Sequence, residues 1–228
     1  MNKDRLARAF FGLTAFAVLV GMVVQLYVSA GLTGTQFTSL GARIFNVFCY
    51  FTIQSNLLVG VTTLLLAIRL DRPSTWFRGF RLSGLIAITV TFLVFHLVLA
   101  GDAQFTGAAA VADTILHTIV PLLAVLGWLV FGPRGRVEWR VVLVALVFPL
   151  WWIALALIRG PIVDFYAYPF MDVRVLGYPR VFVNLLLVAV LFVGLAAVVK
   201  LVESVRSRGS RSSEQERPDT SARTPPGA

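Results

Sequence analysis

Six long apolar runs, separated by short polar segments, dominate the chain, at about residues 9–30, 44–69, 82–100, 113–131, 140–158 and 180–202. A helix needs roughly 20 apolar residues to cross a bilayer core, and each run is close to or above that length. The pattern predicts an all-α, polytopic membrane protein with a six-transmembrane-helix bundle. Residues 1–8 form a short N-terminus, 9–202 the membrane domain, and 203–228 a tail. The tail, rich in Ser, Arg and Pro and without apolar periodicity, is expected to be disordered. It reads either as a regulatory or partner-binding segment or as a solvated topology anchor whose basic start rests on anionic head groups.

Composition agrees with this reading. The chain is 58% hydrophobic and only 14% charged, against about 45–50% and about 25% for soluble domains. The net charge of +9 would suit nucleic acid, but its distribution argues for topology. Lys3, Arg5 and Arg8 precede the first run; Arg69, Arg72, Arg78 and Arg81 flank the second loop; Arg134, Arg136 and Arg140 flank the fourth. Lys200 and five arginines follow the last run, so 16 of the 20 basic residues fall on one side. The positive-inside rule then makes both termini cytoplasmic, and membrane lipids rather than nucleic acid the expected partners. The first run, of about 22 residues, exceeds the 7–15 of a signal-peptide core and is expected to be retained. Cys49 stands alone, so no internal disulfide or cysteine-based metal motif is available.

Polar residues inside these runs collect toward the other, outer side. Thr52 is expected about eight residues into the second span, roughly 12 Å along it. His96, Asp113, His117 and Asn184 fall within about a turn of the outer ends of their own spans, and Asp102 and Asp113 bracket the connection between the third and fourth. Thr52, Ser55 and Asn56 are spaced i, i+3 and i+4 and so share a helix face; Asp113, His117 and Pro121 do likewise. An Asp one turn before a His can accept its ring N–H and orient it, and the other ring nitrogen can then take the proton of a Thr hydroxyl. Asn56, Ser55 or a main-chain N–H would donate to the developing oxyanion. Ser55 is an alternative nucleophile, and His96 and Asn184 are candidate pocket residues.

Each of these residues also has a plainer role. Intramembrane Thr, Ser and Asn bond their own helix backbone or link helices, Asp113 suits a helix N-cap, and His96 suits the interface. A zinc centre would want three protein ligands; His96, His117 and Asp113 are available, but there are two histidines and no H-x-x-x-H spacing. No metal and no cofactor is expected, and no phosphate-binding glycine loop is present. A transporter would want a polar path running inward, and a purely structural membrane protein would use the same polar residues to lock helices together. Both stand beside the hydrolase reading. The last outer loop, "RGPIVDFYAYPFMDVRVLGYPR" (159–180), is rich in Tyr, Phe and Pro and reads as an interfacial loop or a lid over a site.

The segments "YFTIQSN" (50–56) and "LHTIVP" (116–121) resemble the bacterial branch of the androgen-induced protein family. The resemblance spans the six-run core, about residues 9–202. It implies a six-span membrane protein whose vertebrate relatives are threonine hydrolases of fatty-acid esters of hydroxy fatty acids. It further implies that Thr52 is the nucleophile, His117 the catalytic histidine, and a lipid ester the substrate. "TIQSN" and "YPFMD" (168–172) are features of the bacterial branch rather than of the vertebrate hydrolases. Asp113 comes from the spacing alone.

Overall fold

The computed structural model describes residues 2–99, 101, 105–132 and 138–215. Among these there is no strand, and six helical segments are long and apolar enough to cross a membrane: Lys3–Ala30, Phe51–Ile68, Thr75–Leu99, Gly107–Phe131, Trp139–Val163 and Val173–Val205. In chain order the helices are α1 (Lys3–Ala30), α2 (Leu40–Val47), α3 (Phe51–Ile68), α4 (Thr75–Val94), α5 (Gly107–Thr114), α6 (Val120–Phe131), α7 (Trp139–Val163) and α8 (Val173–Gln215). Two single π-helical turns, Phe95–Leu99 and Ile115–Ile119, extend α4 and join α5 to α6.

Long-range contacts fix the alternation of the spans. Arg8 Nε donates to the Ala67 carbonyl at 2.8 Å, so the start of α1 meets the end of α3. Arg78 and Glu138 bring the starts of α4 and α7 together, and Trp128 Nε1 donates to Glu203 where α6 and α8 end. At the opposite end Gln36 Nε2 reaches the Val163 carbonyl at 2.9 Å. The starts of α1, α4 and α7 therefore share one end of the bundle, and the α1–α2 connection and the end of α7 share the other.

The α4 helix is the central element. Leu82, Ser83, Gly84, Leu85, Ile86, Ala87, Ile88, Val90 and Thr91 are all buried, so it is enclosed on every side, as a helix apolar all round must be. The Leu82–Val90 stretch meets Trp128, Ala145, Phe148 and Phe192, while Ile88 joins Val18, Val59 and Leu116 on the other flank. Many large apolar side chains of the peripheral helices are exposed, including Phe16, Leu126, Leu150 and Leu187. An outward apolar surface is what a lipid solvent requires.

Two expectations change. The second run, read as one span over 44–69, is broken: α2 ends at Val47 and α3 begins at Phe51, with Tyr50 extended (φ −78°, ψ 138°). Thr52 is thus the second residue of α3 and not two turns inside a span. The last helix passes residue 203 and continues to Gln215, so the start of the expected tail is helical. Asp102, Arg134, Arg136 and residues 216–228 lie outside the described residues.

Close helix contacts depend on glycine. A Cβ on Gly79 would lie 2.4 Å from Val144 Cγ1 and 3.2 Å from the Val141 carbonyl oxygen, whereas one on Gly12 meets only Ala67 Cβ at 3.8 Å. Gly79→Ala should destabilise the detergent-solubilised protein by about 1–3 kcal/mol through overpacking, and Gly12→Ala should change little. Thermal unfolding followed by tryptophan fluorescence checks both.

Candidate functional site

The break before α3 creates the site. A helix start leaves its first N–H groups without intrahelical partners, and here the first such bond runs from Gln54 N to the Tyr50 carbonyl. Tyr50 gives no side-chain cap. The Thr52 N–H donates instead to the hydroxyl oxygen of Tyr168, 3.2 Å away, from the α7–α8 loop. The carbonyl ends freed by the break are also taken up: Trp152 Nε1 donates to Cys49 O at 3.0 Å and Gln54 Nε2 to Phe48 O at 2.9 Å. Arg159, 2.9 Å from Asn46 Oδ1, ties α2 to α7.

Thr52 Oγ1 stands 3.3 Å from His117 Nε2 and 3.2 Å from the Tyr168 hydroxyl. His117 Nδ1 lies 3.2 Å from the Asp113 carbonyl oxygen and 2.9 Å from Asp113 Oδ1. Among the described residues Oδ1 has no hydrogen-bond partner, so its tie to the ring is electrostatic. The acceptors around Nδ1 place the ring proton there and leave Nε2 as an acceptor. The Thr52 hydroxyl must then donate to His117, and its remaining lone pair accepts from the Tyr168 O–H. Tyr168 in turn accepts from the Thr52 N–H. Every donor in the chain is used once, and the directions follow from the first.

Two neighbours hold this geometry. The Phe95 ring stacks on His117, with centroids 4.0 Å apart and planes 14° from parallel, and it is carried there by the π turn that ends α4. His117 sits on the other π turn, a distortion that frequently marks functional positions in helices. Tyr168 is buried, and burial pushes its hydroxyl up to about 12 against the opposing pull of its Thr52 contacts. It therefore remains a neutral O–H donor across the physiological range.

These groups form part of the wall of a cavity of about 130 Å³ enclosed by α3, α4, α7, α8 and the α7–α8 loop. Thr52, Thr91, His117 and Tyr168 bring its polar atoms; Phe51, Val90, Leu146, Trp152 and Phe192 are typical of the remainder. Leu150 and Val193, about 60% exposed on the outside of the bundle, are also in the wall, so the cavity reaches the lipid-facing surface.

Asp113 and His117 meet as their i, i+4 spacing suggests, and Thr52 of α3 lies beside the ring, but the other candidates are placed differently. Ser55 is fully buried outside the cavity wall, donating to the Thr52 carbonyl at 3.0 Å and pairing with Thr91 Oγ1 at 3.1 Å. It is unavailable as a nucleophile. The Asn56 amide donates both hydrogens, to the carbonyls of Thr52 (2.8 Å) and Leu116 (3.1 Å), so it has none for an oxyanion. It bridges α3 to the π turn instead. His96 is exposed beside Thr118 at 3.1 Å, away from the cavity. Asn184 donates to the Phe170 carbonyl at 2.8 Å, bracing the loop without lining the cavity. No group of three or more metal-ligating side chains occurs among the described residues.

Sequence reasoning singled out the aromatic loop but not Tyr168 itself. Its position is set by an ionic clip: Arg174 binds Asp172 through Nε at 2.8 Å and Asp164 through a terminal nitrogen at 2.8 Å, with Tyr166 beneath the guanidinium. Asp164 takes a left-handed conformation (φ 52°) to turn the chain out of α7. The paired aspartates around an arginine were the readable sign of a built loop. No protein-family model, curated protein or solved structure matches the chain.

The clip has a pH signature. Hydrogen bonding to Arg174 holds the Asp172 carboxyl below its ordinary range despite an opposing desolvation. A depressed carboxyl contributes stability that is complete above the ordinary carboxylate pKa and lost as pH falls through the lowered one. The protection of the loop amides at residues 164–172, taken relative to the unfolded-chain exchange rate at each pH, should therefore hold from pH 7 to about 4 and fall below it. In Asp172→Asn the same loop should exchange faster at pH 7 and respond less to acid.

Proposed function

We propose that this integral membrane protein is an intramembrane threonine hydrolase of lipid esters, of the kind to which "YFTIQSN" and "LHTIVP" point. The observation that carries the reading is the one-way hydrogen-bond chain from His117, oriented by Asp113, to the Thr52 hydroxyl in the wall of an apolar cavity. The hydroxyl is already donating to the base that would deprotonate it, which is the geometry an activated nucleophile needs.

Thr52 Oγ1 attacks the ester carbonyl as His117 Nε2 takes its proton, and the imidazolium is stabilised by Asp113. The carbonyl oxygen becomes an oxyanion at the start of α3, where the Tyr168 O–H is the donor at hand, the Thr52 N–H staying on the Tyr168 oxygen. Once Thr52 Oγ1 has spent its lone pair on the new bond, it no longer attracts the Tyr168 hydrogen, which turns to the oxyanion. Collapse expels the alcohol, which takes the proton from His117. Water, deprotonated by the same nitrogen, then attacks the Thr52 ester, and as the acyl–oxygen bond breaks His117 returns the proton to Thr52 Oγ1 and the acid leaves. The nearly apolar wall favours a hydrocarbon-rich acyl or alkyl group, and the exposure of Leu150 and Val193 admits it from the bilayer.

The charge asymmetry along the chain supports cytoplasmic termini and a site in the outer half of the membrane. A transport path would continue its polar lining along the bundle, yet this cavity and the larger one at the basic end share no lining residue.

Labelling by a fluorophosphonate probe tests the proposal on purified protein in detergent. Wild type and Ser55→Ala should label, while Thr52→Ala and His117→Ala, eluting as folded monodisperse species, should lose at least 100-fold. Tyr168→Phe should lose about 10–1000-fold. Equal labelling of Thr52→Ala would assign these residues to helix locking.

A further inference from the structure

A second cavity, of about 430 Å³, lies at the basic end of the bundle, far along α3 and α4 from Thr52. Its wall carries Arg72, Arg78 and Arg81 together with Asp71, Glu138 and Glu203. The formal charges balance, so the pairing of each residue decides what the space can hold. Asp71 leans outward, 85% exposed, toward Arg69 at 3.9 Å. Glu138, more than half exposed, takes Arg78 at 3.5 Å. Glu203 is buried, accepts from Trp128 Nε1 at 3.4 Å, and supplies the charge that compensates Arg81.

Arg72 is the exception. Its Nε donates to the carbonyls of Leu65 (3.0 Å) and Arg69 (3.3 Å), and its guanidinium lies over the Phe77 ring at 5.5 Å. Among the described residues no carboxylate pairs with it. It is thus a guanidinium held in a fixed position at the wall of a cavity. Deeper in, the wall turns apolar, with Val59, Leu85 and Ala124. A guanidinium fork matches phosphate oxygens in geometry and charge, and basic pockets between transmembrane helices at the cytoplasmic face suit lipid phosphates.

We infer that this cavity is a binding site for a phosphate-bearing amphiphile, its phosphate on the Arg72 guanidinium and its glycerol or acyl stem against the apolar floor. A free phosphate shares the headgroup chemistry, but the apolar floor adds nothing to its binding.

The test uses the full-length protein, stripped of lipid in detergent, and titration calorimetry with three probes. These are dihexanoyl phosphatidic acid, inorganic phosphate and dihexanoyl glycerol, which lacks the phosphate. Phosphatidic acid should bind wild type and bind folded Arg72→Gln at least tenfold more weakly. Arg72→Lys, which keeps the charge and loses the fork, should fall between them and serves alone if Arg72→Gln does not fold. Inorganic phosphate binding as tightly as phosphatidic acid would overturn the amphiphile and leave a small-anion site. Equal binding of dihexanoyl glycerol, equal affinity in wild type and the Arg72 variants, or no binding of either phosphate to folded wild type would overturn the site altogether.

Discussion

A main-chain N–H or C=O inside an apolar interior has to be paired, and a helix that stops there is tolerated only where protein supplies the partners. The interruption at Phe48–Tyr50 obeys that constraint through one nearby side chain and two from distant parts of the chain. Trp152 takes one carbonyl, Gln54 another, and the Tyr168 hydroxyl takes the Thr52 N–H. Satisfying the break brings the α7–α8 loop over the start of α3. It also places a hydroxyl, a phenol and a positive helix end around one point.

From that point the proton order follows. Asp113 fixes the His117 tautomer, the tautomer makes Thr52 a donor, and a donating Thr52 makes Tyr168 donate to it. The stack of Phe95 on His117 keeps the ring in plane, and the enclosure of α4 keeps Phe95 in place. In the low-polarity surroundings of the cavity these contacts are stronger than they would be in water. The second cavity, at the basic end, is lined differently, by three arginines and three carboxylates above apolar residues.

The hydropathy pattern carried the six spans because burial in lipid demands long apolar helices, and no tertiary contact is needed to see them. The i, i+4 spacing of Asp113 and His117 was equally readable, since neighbours on one helix meet whatever surrounds them. The break in the second run was not. No Pro or Gly marks residues 48–50, and two of the three groups that stabilise the break, Trp152 and Tyr168, come from about 100 residues away. Missing it put Thr52 about eight residues into a span rather than at a helix start, and the shared face with Ser55 and Asn56 did not show what covers those two. One turn further along α3 those two are already under α4 and the π turn, where their polar atoms serve packing. Tyr168 was hidden for a related reason: a loop tyrosine acquires a role only from the helix end it covers.

The most direct test of this account is the protonation pattern of His117, read by nitrogen NMR on protein labelled with ¹⁵N-histidine in detergent. The chain has two histidines, so spectra of His96→Gln give the assignment. The account predicts that at neutral pH His117 carries its proton on Nδ1, that Nε2 has the shift of a hydrogen-bonded acceptor, and that Thr52→Ala moves the Nε2 signal toward that of a free acceptor. A proton on Nε2, unaffected by Thr52→Ala, would reverse the direction of the hydrogen-bond chain and remove Thr52 as the nucleophile.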